Sequence, residues 1–150
     1  MKKVIKGTIG WILYIAVLAG LIWGIPRGMS YFLKTPYPMA SITSSSMWPA
    51  LKQGDLVLIK GIQNKNEIQL GDIIVYKNVS LNSGQVTGFT INRVVQIGQN
   101  TVVTKGDANN VSDPPVQYEE VIGKTLTINQ KPIRIPMLGN VSIFINKGSL

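Results

Sequence analysis

The segment SITSSSMWPAL (41–51) contains three consecutive serines and follows shortly after an apolar stretch of the chain. Such a cluster is commonly no more than a polar loop. The alternative is that one hydroxyl is a nucleophile, which needs a neighbouring group to accept its proton and donors to stabilise the oxyanion that forms. The rest of the sequence must then supply a base and an oxyanion site.

The amino-acid composition limits which side chains can act as nucleophile, base or metal ligand. The 150 residues contain neither cysteine nor histidine, so a cysteine nucleophile, a disulfide framework, a Cys/His zinc site and a Ser-His-Asp triad are all excluded. The net charge is +8. The basic residues are scattered and do not alternate with aromatic residues, so we expect no nucleic-acid partner. We also predict no metal and no cofactor.

A membrane anchor is predicted at the N-terminus. The segment TIGWILYIAVLAGLIWGIP (8–26) carries no charge. As a helix, residues 8–25 rise about 27 Å, close to the hydrocarbon thickness of a bilayer. A cleaved signal peptide is the competing interpretation, but the apolar region is long for that role, and Pro26 and Arg27 follow it instead of a small-x-small pair. We therefore expect a retained anchor that contacts membrane lipid.

The basic residues also predict an orientation. Three lysines precede the apolar stretch (Lys2, Lys3 and Lys6), whereas Arg27 and Lys34 follow it. The positive-inside bias favours a cytoplasmic N-terminus at the cell membrane, with the remaining domain on the outer face.

The remainder of the chain predicts an antiparallel, mostly β domain. Segments rich in branched apolar residues and bounded by Gly, Asn and Asp turns predict strands at 55–61, 72–78, 89–97, 100–106 and 120–128. The expected division is an N-terminal tip and membrane anchor (1–27), a linker or first strand (28–40) and a β-rich domain (41–150). The apolar ending VSIFINKGSL (141–150) leaves open a truncated C-terminus or a second membrane segment.

An acidic loop follows the predicted strands. The segment TKGDANNVSDPP (104–115) places Asp107 and Asp113 six residues apart among Asn and Ser, which by spacing alone is typical of an Asx-rich loop. Taken in order, however, SSSMWPALKQGDLVLI, GDIIVYK, INRVV and TKGDANNVSD, all behind an apolar anchor, resemble type I signal peptidases, particularly the archaeal and endoplasmic-reticulum branch. The resemblance covers about residues 8–128. It implies a β domain of the signal-peptidase type behind one transmembrane helix.

The resemblance also implies roles for individual residues. Ser46 matches the nucleophile, and the Ser44 hydroxyl together with the Ser46 backbone N–H matches the oxyanion donors, with Ser45 as a small spacer. Asp107 and Asp113 match the acidic positions that orient and stabilise the base, Asp113 being the expected direct partner. The expected substrate-binding residues are Met39, Ala40, Ser41, Ile42, Thr43, Met47 and Pro49.

One position departs from the family pattern. The residue before Arg93-Val94 is His or Lys in the family and is Asn92 here. An amide does not titrate near neutral pH, so Asn92 can form hydrogen bonds but cannot take a proton from Ser46. Three explanations stay open: an inactivating change in an otherwise intact protease, a substitute base for which Lys105 is the nearest candidate, or a natural pseudoenzyme that binds signal peptides.

These observations support three functions. The first is a membrane-anchored serine endopeptidase that removes N-terminal signal peptides, with small residues before the cleavage site, from secreted preproteins. The second is a module that binds signal peptides or partner subunits without cutting. The third is an anchored β domain with a structural role.

Overall fold

The computed structural model describes residues 2–80 and 83–140, with side chains from residue 9 onward. It begins with helix α1 (Lys2–Leu33), of which Ile9–Leu33 is long and apolar enough to cross a membrane, judged by length and composition. The apolar ending 141–150, with its predicted alternatives, lies outside the described residues.

Helix α1 is longer than the sequence predicts. It continues through Pro26 to Leu33, whereas the predicted anchor ended at residue 27. Proline lacks an N–H and crowds the preceding turn, so it usually ends or kinks a helix in water. Apolar membrane helices tolerate an interior proline. Six residues of the predicted linker, 28–33, are therefore helical.

Ten strands follow within the described residues. They are β1 (Met39–Ser41), β2 (Leu56–Gly61), β3 (Ile73–Val79), β4 (Val86–Ile97), β5 (Thr101–Lys105), β6 (Val116–Gln117), β7 (Val121–Thr125), β8 (Thr127–Ile128), β9 (Lys131–Pro132) and β10 (Arg134–Ile135). The first four predicted strands correspond to β2, β3, β4 and β5. The fifth, 120–128, is divided between β7 and β8 at Leu126, whose N–H donates to the Leu58 carbonyl at 2.9 Å.

The described strands pair only in antiparallel fashion, which confirms the predicted fold class. The main sheet has the order β1-β2-β7-β3-β4-β5-β6, with β10 also paired to β2, and β8 and β9 form a separate two-stranded sheet. Neighbours β3, β4 and β5 are consecutive in sequence. The strands of the motifs GDIIVYK, INRVV and TKGDANNVSD are therefore adjacent in the sheet.

The core lies on both faces of β3. Residues 73–76 of this strand are all buried, as expected for a strand covered on both sides. Ile74 and Tyr76 belong to one buried cluster, with Val94 and Val102 of the neighbouring strands. On the opposite face Ile73 belongs to a second cluster, whose other buried members are Ile42, Met47, Leu51 and Val57. The second cluster anchors the chain on either side of the three serines.

The helix meets the β domain where it ends. Residues 20–33 of α1 form an apolar groove together with Leu58 and Leu126. At Gly61 of β2 a methyl group would collide with the Lys34 carbonyl, so a glycine is required for this close approach. Strand β2, the neighbour of the strand β1 from which the serine loop starts, is thus fixed close to the end of the apolar helix.

Candidate active site

The serine loop is held at both ends by buried residues. The Ile42 N–H donates to the Asp55 carbonyl at 2.9 Å, and the Gly54 N–H donates back to the Ile42 carbonyl at 2.8 Å. After the serines, Met47 is 1% exposed and Leu51 is fully buried. The loop between these anchors therefore carries its serines at a defined position on the surface.

The serines lie in a groove of about 840 Å³. Its lining residues are Tyr37, Met39, Ala40, Ser41, Ile42, Thr43, Ser44, Ser46, Met47, Gln53, Ile59, Val75, Phe89, Thr90, Ile91, Asn92, Asn109 and Ile122. Six of the seven predicted substrate-binding residues belong to this set, whereas Pro49 lies in an exposed turn outside it. The wall also contains an aromatic contact, with the Tyr37 and Phe89 ring centroids 5.2 Å apart.

The Ser44 and Ser46 side chains bond to each other. Their Oγ atoms are 3.1 Å apart, and either can be the donor. Ser44 is exposed and Ser46 is half-buried. The Ser46 carbonyl accepts a hydrogen bond from the Ala108 N–H at 2.8 Å, which ties the serine loop to the turn after β5.

Asn92 and Asp113 meet next to the groove. The Asn92 Nδ2 donates to the Asp113 Oδ2 at 2.7 Å, and Asn92 is only 3% exposed. The same carboxylate oxygen accepts hydrogen bonds from the Thr104 hydroxyl at 2.6 Å and the Tyr76 hydroxyl at 3.2 Å. Burial raises the pKa of Tyr76, which is therefore a neutral donor at physiological pH. The Asp113 Oδ2 thus accepts three hydrogen bonds.

The other half of the Asn92 amide is unsatisfied. Its Oδ1 is buried and has no hydrogen-bond partner among the described residues. An unsatisfied buried acceptor costs about 1–3 kcal/mol, so such an atom in a native site requires an explanation. The amide makes the bond to the acid and leaves its second polar atom without a counterpart.

Asp107 lies in a different contact. Its two carboxylate oxygens accept hydrogen bonds from the Arg93 Nε and Nη2, both at 2.7 Å, and the Arg93 Nη1 donates to the Gly71 carbonyl at 2.8 Å. The hydrogen bond to Asp107 raises the pKa of Arg93 further above its ordinary value. Of the two predicted acidic residues, the structure brings Asp113 to Asn92, whereas Asp107 ties the turn after β5 to Arg93 of β4, which also bonds to the turn before β3.

Lys105, the candidate substitute base, lies away from this arrangement. It pairs with Arg93 across β4 and β5 and therefore shares the Arg93 face, whereas the Asn92 side chain projects from the other face. It does not belong to the groove lining. In the part of the chain that the structure describes, no cluster of Asp and Glu could hold a metal ion.

Two residues of the site were not predicted from the sequence. Tyr76 and Thr104 lie within predicted strands, where aromatic and β-branched residues are ordinary, so their types gave no indication of a polar role. Period-two alternation could have placed Tyr76 on the face of Ile74. It could not have brought Asp113 onto the same face, because that contact depends on the path of a loop.

Comparison with known proteins gives the family context. No protein-family model matches the sequence. The chain is 26% identical over 131 residues to the signal peptidase complex catalytic subunit SEC11 of Metarhizium acridum, covering 86% of this chain and 74% of the relative. Its counterpart in Neurospora crassa is 28% identical over 132 residues, with the same coverage. The counterpart in Aspergillus terreus is 26% identical over 167 residues, covering 95% of this chain and 83% of the relative. The resemblance found in the motifs is confirmed: along most of its length this chain is similar to type I signal peptidases of the endoplasmic-reticulum branch.

Proposed function

We propose that this chain is a membrane-anchored serine endopeptidase of the signal-peptidase type, impaired in its present form because Asn92 occupies the position of the general base. Ser46 is the nucleophile, Asp113 is the acid that orients the residue at position 92, and Ser44 contributes its hydroxyl to the oxyanion site. The curated relatives are named catalytic subunits of a signal peptidase complex, which supports the reaction class.

One observation carries the proposal. Asn92 donates to Asp113 at 2.7 Å, yet its buried Oδ1 has no partner, and the Ser46 hydroxyl bonds to Ser44 instead. A base bridging Ser46 and Asp113 would donate to the acid with one atom and accept from the serine with another. The amide makes the first of these bonds and lacks the second, as expected where a shorter side chain stands in the place of an imidazole.

The chemistry follows from that arrangement. The Ser46 Oγ attacks the carbonyl carbon of the scissile peptide bond, and its proton passes to the base, which later donates it to the leaving amine. Water then hydrolyses the acyl-serine ester and regenerates the hydroxyl. An amide cannot hold that proton, so the unaltered chain retains only the catalysis due to the oxyanion site and substrate binding, roughly 1,000- to 10,000-fold over water.

The groove suits an extended peptide. Strand β1 and the residues after it, Met39–Thr43, line one side, and β4 residues Phe89–Asn92 line the other. An extended segment can bond to a strand through its main chain while its side chains occupy shallow pockets. We infer that the substrates are signal peptides of preproteins with small residues before the cut, presented at the outer membrane face, with the N-terminus of this chain in the cytoplasm and no nucleic acid or cofactor involved. The relatives act within a complex, so association with further subunits belongs to the same proposal.

A second function has its own supporting observation. The absence of any histidine and the position of Lys105 on the opposite face leave Ser46 without an evident proton acceptor among the residues that the structure describes. A chain of this kind can capture signal peptides without cutting them. This alternative predicts saturable peptide binding with no product after prolonged incubation.

Cleavage of a preprotein in liposomes separates the two functions. The chains compared are the unaltered protein, Asn92→His, Asn92→Lys and the double variant Ser46→Ala/Asn92→His. Asn109→His is the matched control, because Asn109 also lines the groove but makes no contact with Asp113 among the described residues.

We expect Asn92→His to cleave the preprotein, and the double variant and Asn109→His to remain inactive. Cleavage by the unaltered chain would show that another group serves as the base. If all five chains fold and insert, bind the peptide and yield no product, the protease hypothesis fails and the binding module remains.

A further inference from the structure

Two buried hydroxyls beside Asp113 have no role in the reaction as proposed. We propose that Tyr76 and Thr104 are positioning residues, which fix the Asp113 carboxylate so that its Oδ2 faces the side chain at position 92. This inference rests on the proposed function, because it assigns to position 92 the residue that Asp113 orients.

Strand register brings the two hydroxyls to the acid. Tyr76 pairs with Thr90 across β3 and β4, and Thr104 pairs with Val94 across β4 and β5. Asn92 lies between Thr90 and Val94 on the same strand, two residues from each, so its side chain shares their face. Tyr76 and Thr104 are therefore its diagonal neighbours from the two flanking strands. Three adjacent strands form a rigid platform beneath the carboxylate.

Asp113 is then fastened to this platform by its backbone. Its N–H donates to the Thr104 carbonyl at 2.7 Å, while its Oδ2 accepts from the Thr104 hydroxyl at 2.6 Å. The Tyr76 hydroxyl adds a second bond to the same oxygen at 3.2 Å. A side chain held by its own backbone and by two hydroxyls has little freedom to rotate.

The burial of these hydroxyls argues against a purely structural role. Thr104 is fully buried and Tyr76 is 7% exposed, among Ile74, Val94 and Val102. Valine and phenylalanine have nearly the same shapes and would avoid the cost of burying a hydroxyl. Polar networks inside a core mainly specify one arrangement of their members, and here the arrangement is that of a carboxylate aimed at position 92.

The charged groups nearby do not account for the orientation of Asp113. On the strands, Arg93 and Lys105 project from the opposite face, and Arg93 is bound to Asp107 at 2.7 Å. The groups that contact Asp113 from β3, β4 and β5 are the Tyr76 and Thr104 hydroxyls and the Asn92 amide. Its orientation is thus set by neutral donors.

The absence of histidine makes this inference measurable without an activity assay. In detergent micelles, Asn92→His gives this 150-residue chain its only imidazole, so the NMR signals of that imidazole are unambiguous. If Asp113 is held in place, the Nδ1–H of that imidazole shows a downfield resonance. Its pKa should also lie above that of the same imidazole in the Asn92→His/Asp113→Asn chain, because the carboxylate charge favours the protonated form by about 1–3 pH units, whereas burial acts on both imidazoles.

Removal of the hydroxyls should loosen the acid. In the Asn92→His background, we expect Thr104→Val and Tyr76→Phe to lose or broaden the downfield resonance and to lower the imidazole pKa toward its value in the chain that also carries Asp113→Asn. Thr104→Ser keeps the hydroxyl and should retain both features. Asp113→Asn gives the reference for complete loss of the acid.

Matched controls exclude a general effect of the substitutions. The Thr87 hydroxyl donates to the Asn78 carbonyl at an exposed position, and the hydroxyl of the half-buried Tyr118 donates to the Gly98 carbonyl. Thr87→Val and Tyr118→Phe should leave the imidazole unchanged. If Thr104→Val does not fold, Tyr76→Phe alone still decides the question.

An unchanged resonance and pKa in the folded positioning variants would overturn the inference. If Asn92→His shows the Asp113-dependent imidazole but does not cleave a preprotein, the positioning role stands and the proposed protease function fails. The two failures are therefore distinguishable.

Discussion

The turn after β5 should determine where the Ser46 backbone lies. A methyl group added at Gly106 would stand 2.7 Å from the Ser46 carbonyl oxygen and 2.7 Å from the Asn109 Nδ2. The Asn109 side chain is exposed and can rotate away, but a backbone carbonyl cannot. The Gly106→Ala variant must therefore separate the turn from the serine loop.

The size of the displacement follows from that distance. Ordinary van der Waals contact begins at 3.4 Å, so relief of a 2.7 Å contact needs 0.7 Å of movement. The Ala108 N–H to Ser46 carbonyl bond, now 2.8 Å long, lies in the same interface and should lengthen. Overpacking of this kind costs about 1–3 kcal/mol of the unfolding free energy. Because a misplacement of about 1 Å can cost about 100-fold in rate, we expect cleavage to fall by roughly 10- to 100-fold.

The assay uses the Asn92→His background and two measurements. Preprotein cleavage in liposomes gives the rate, and urea denaturation followed by circular dichroism gives the unfolding free energy. Gly88→Ala is the matched control, because the methyl group there meets only the Asn78 Nδ2 at 3.8 Å. Equal rates and stabilities for the two variants would refute the proposed contact. A loss of stability with an unchanged rate would show that the turn moves and Ser46 does not.

Three further predictions concern stability. Arg93→Met leaves Asp107, whose side chain is 16% exposed, without its guanidinium partner. Since this pair is only partly buried, we expect a loss of about 2 kcal/mol in urea denaturation, less than the 3–5 kcal/mol for a fully buried pair, and a loss below about 0.5 kcal/mol would contradict this. Leu51→Ala removes a fully buried side chain below the serine loop and should cost about 2–5 kcal/mol by the same measurement, whereas a cost near that of an exposed site would mean that the loop is not anchored there. The raised pKa of Tyr76 keeps it protonated in the fold after it ionises in the unfolded chain, so its contribution is complete below pH 10.0 and declines as the pH rises through the higher folded-state pKa. Tyr76→Phe should reduce the alkaline loss of unfolding free energy, and identical pH profiles for the variant and the parent would count against the shift.

The sequence predicted the elements of this fold better than their arrangement. Apolar segments bounded by Gly and Asn turns located β2, β3, β4 and β5 within a few residues, because strand formation there depends on local residue types. The apolar segment located α1, but it did not indicate that the helix continues six residues beyond the predicted anchor, to Leu33. The division of segment 120–128 at Leu126 depends on a contact with β2, which no local pattern reports.

The candidate site shows the same limit. Motif order brought Ser44, Ser46 and Asn92 together as candidates, and the structure finds all three along one groove. Spacing in the loop 104–115 could not distinguish the two acids, because their partners project from opposite faces of one strand, β4. Asp107 bonds to Arg93 and Asp113 bonds to Asn92, two adjacent residues of β4 that project from opposite faces.

The residues of this site differ in how strongly the fold itself requires them. Asp113 accepts three hydrogen bonds from buried or largely buried donors, so its loss would leave those donors unsatisfied whether or not the chain cleaves anything. Its presence is therefore weak evidence for catalysis. The Ser44 and Ser46 hydroxyls bond to each other on the surface of a groove, where an exposed hydrogen bond contributes little stability. The stability of the fold does not require two hydroxyls at this spacing. Catalysis of acyl transfer does, because one hydroxyl attacks the carbonyl and the other stabilises the oxyanion. The serine pair, more than the buried acid, thus supports the proposed acyl-transfer site, in which Asn92 occupies the position of the base.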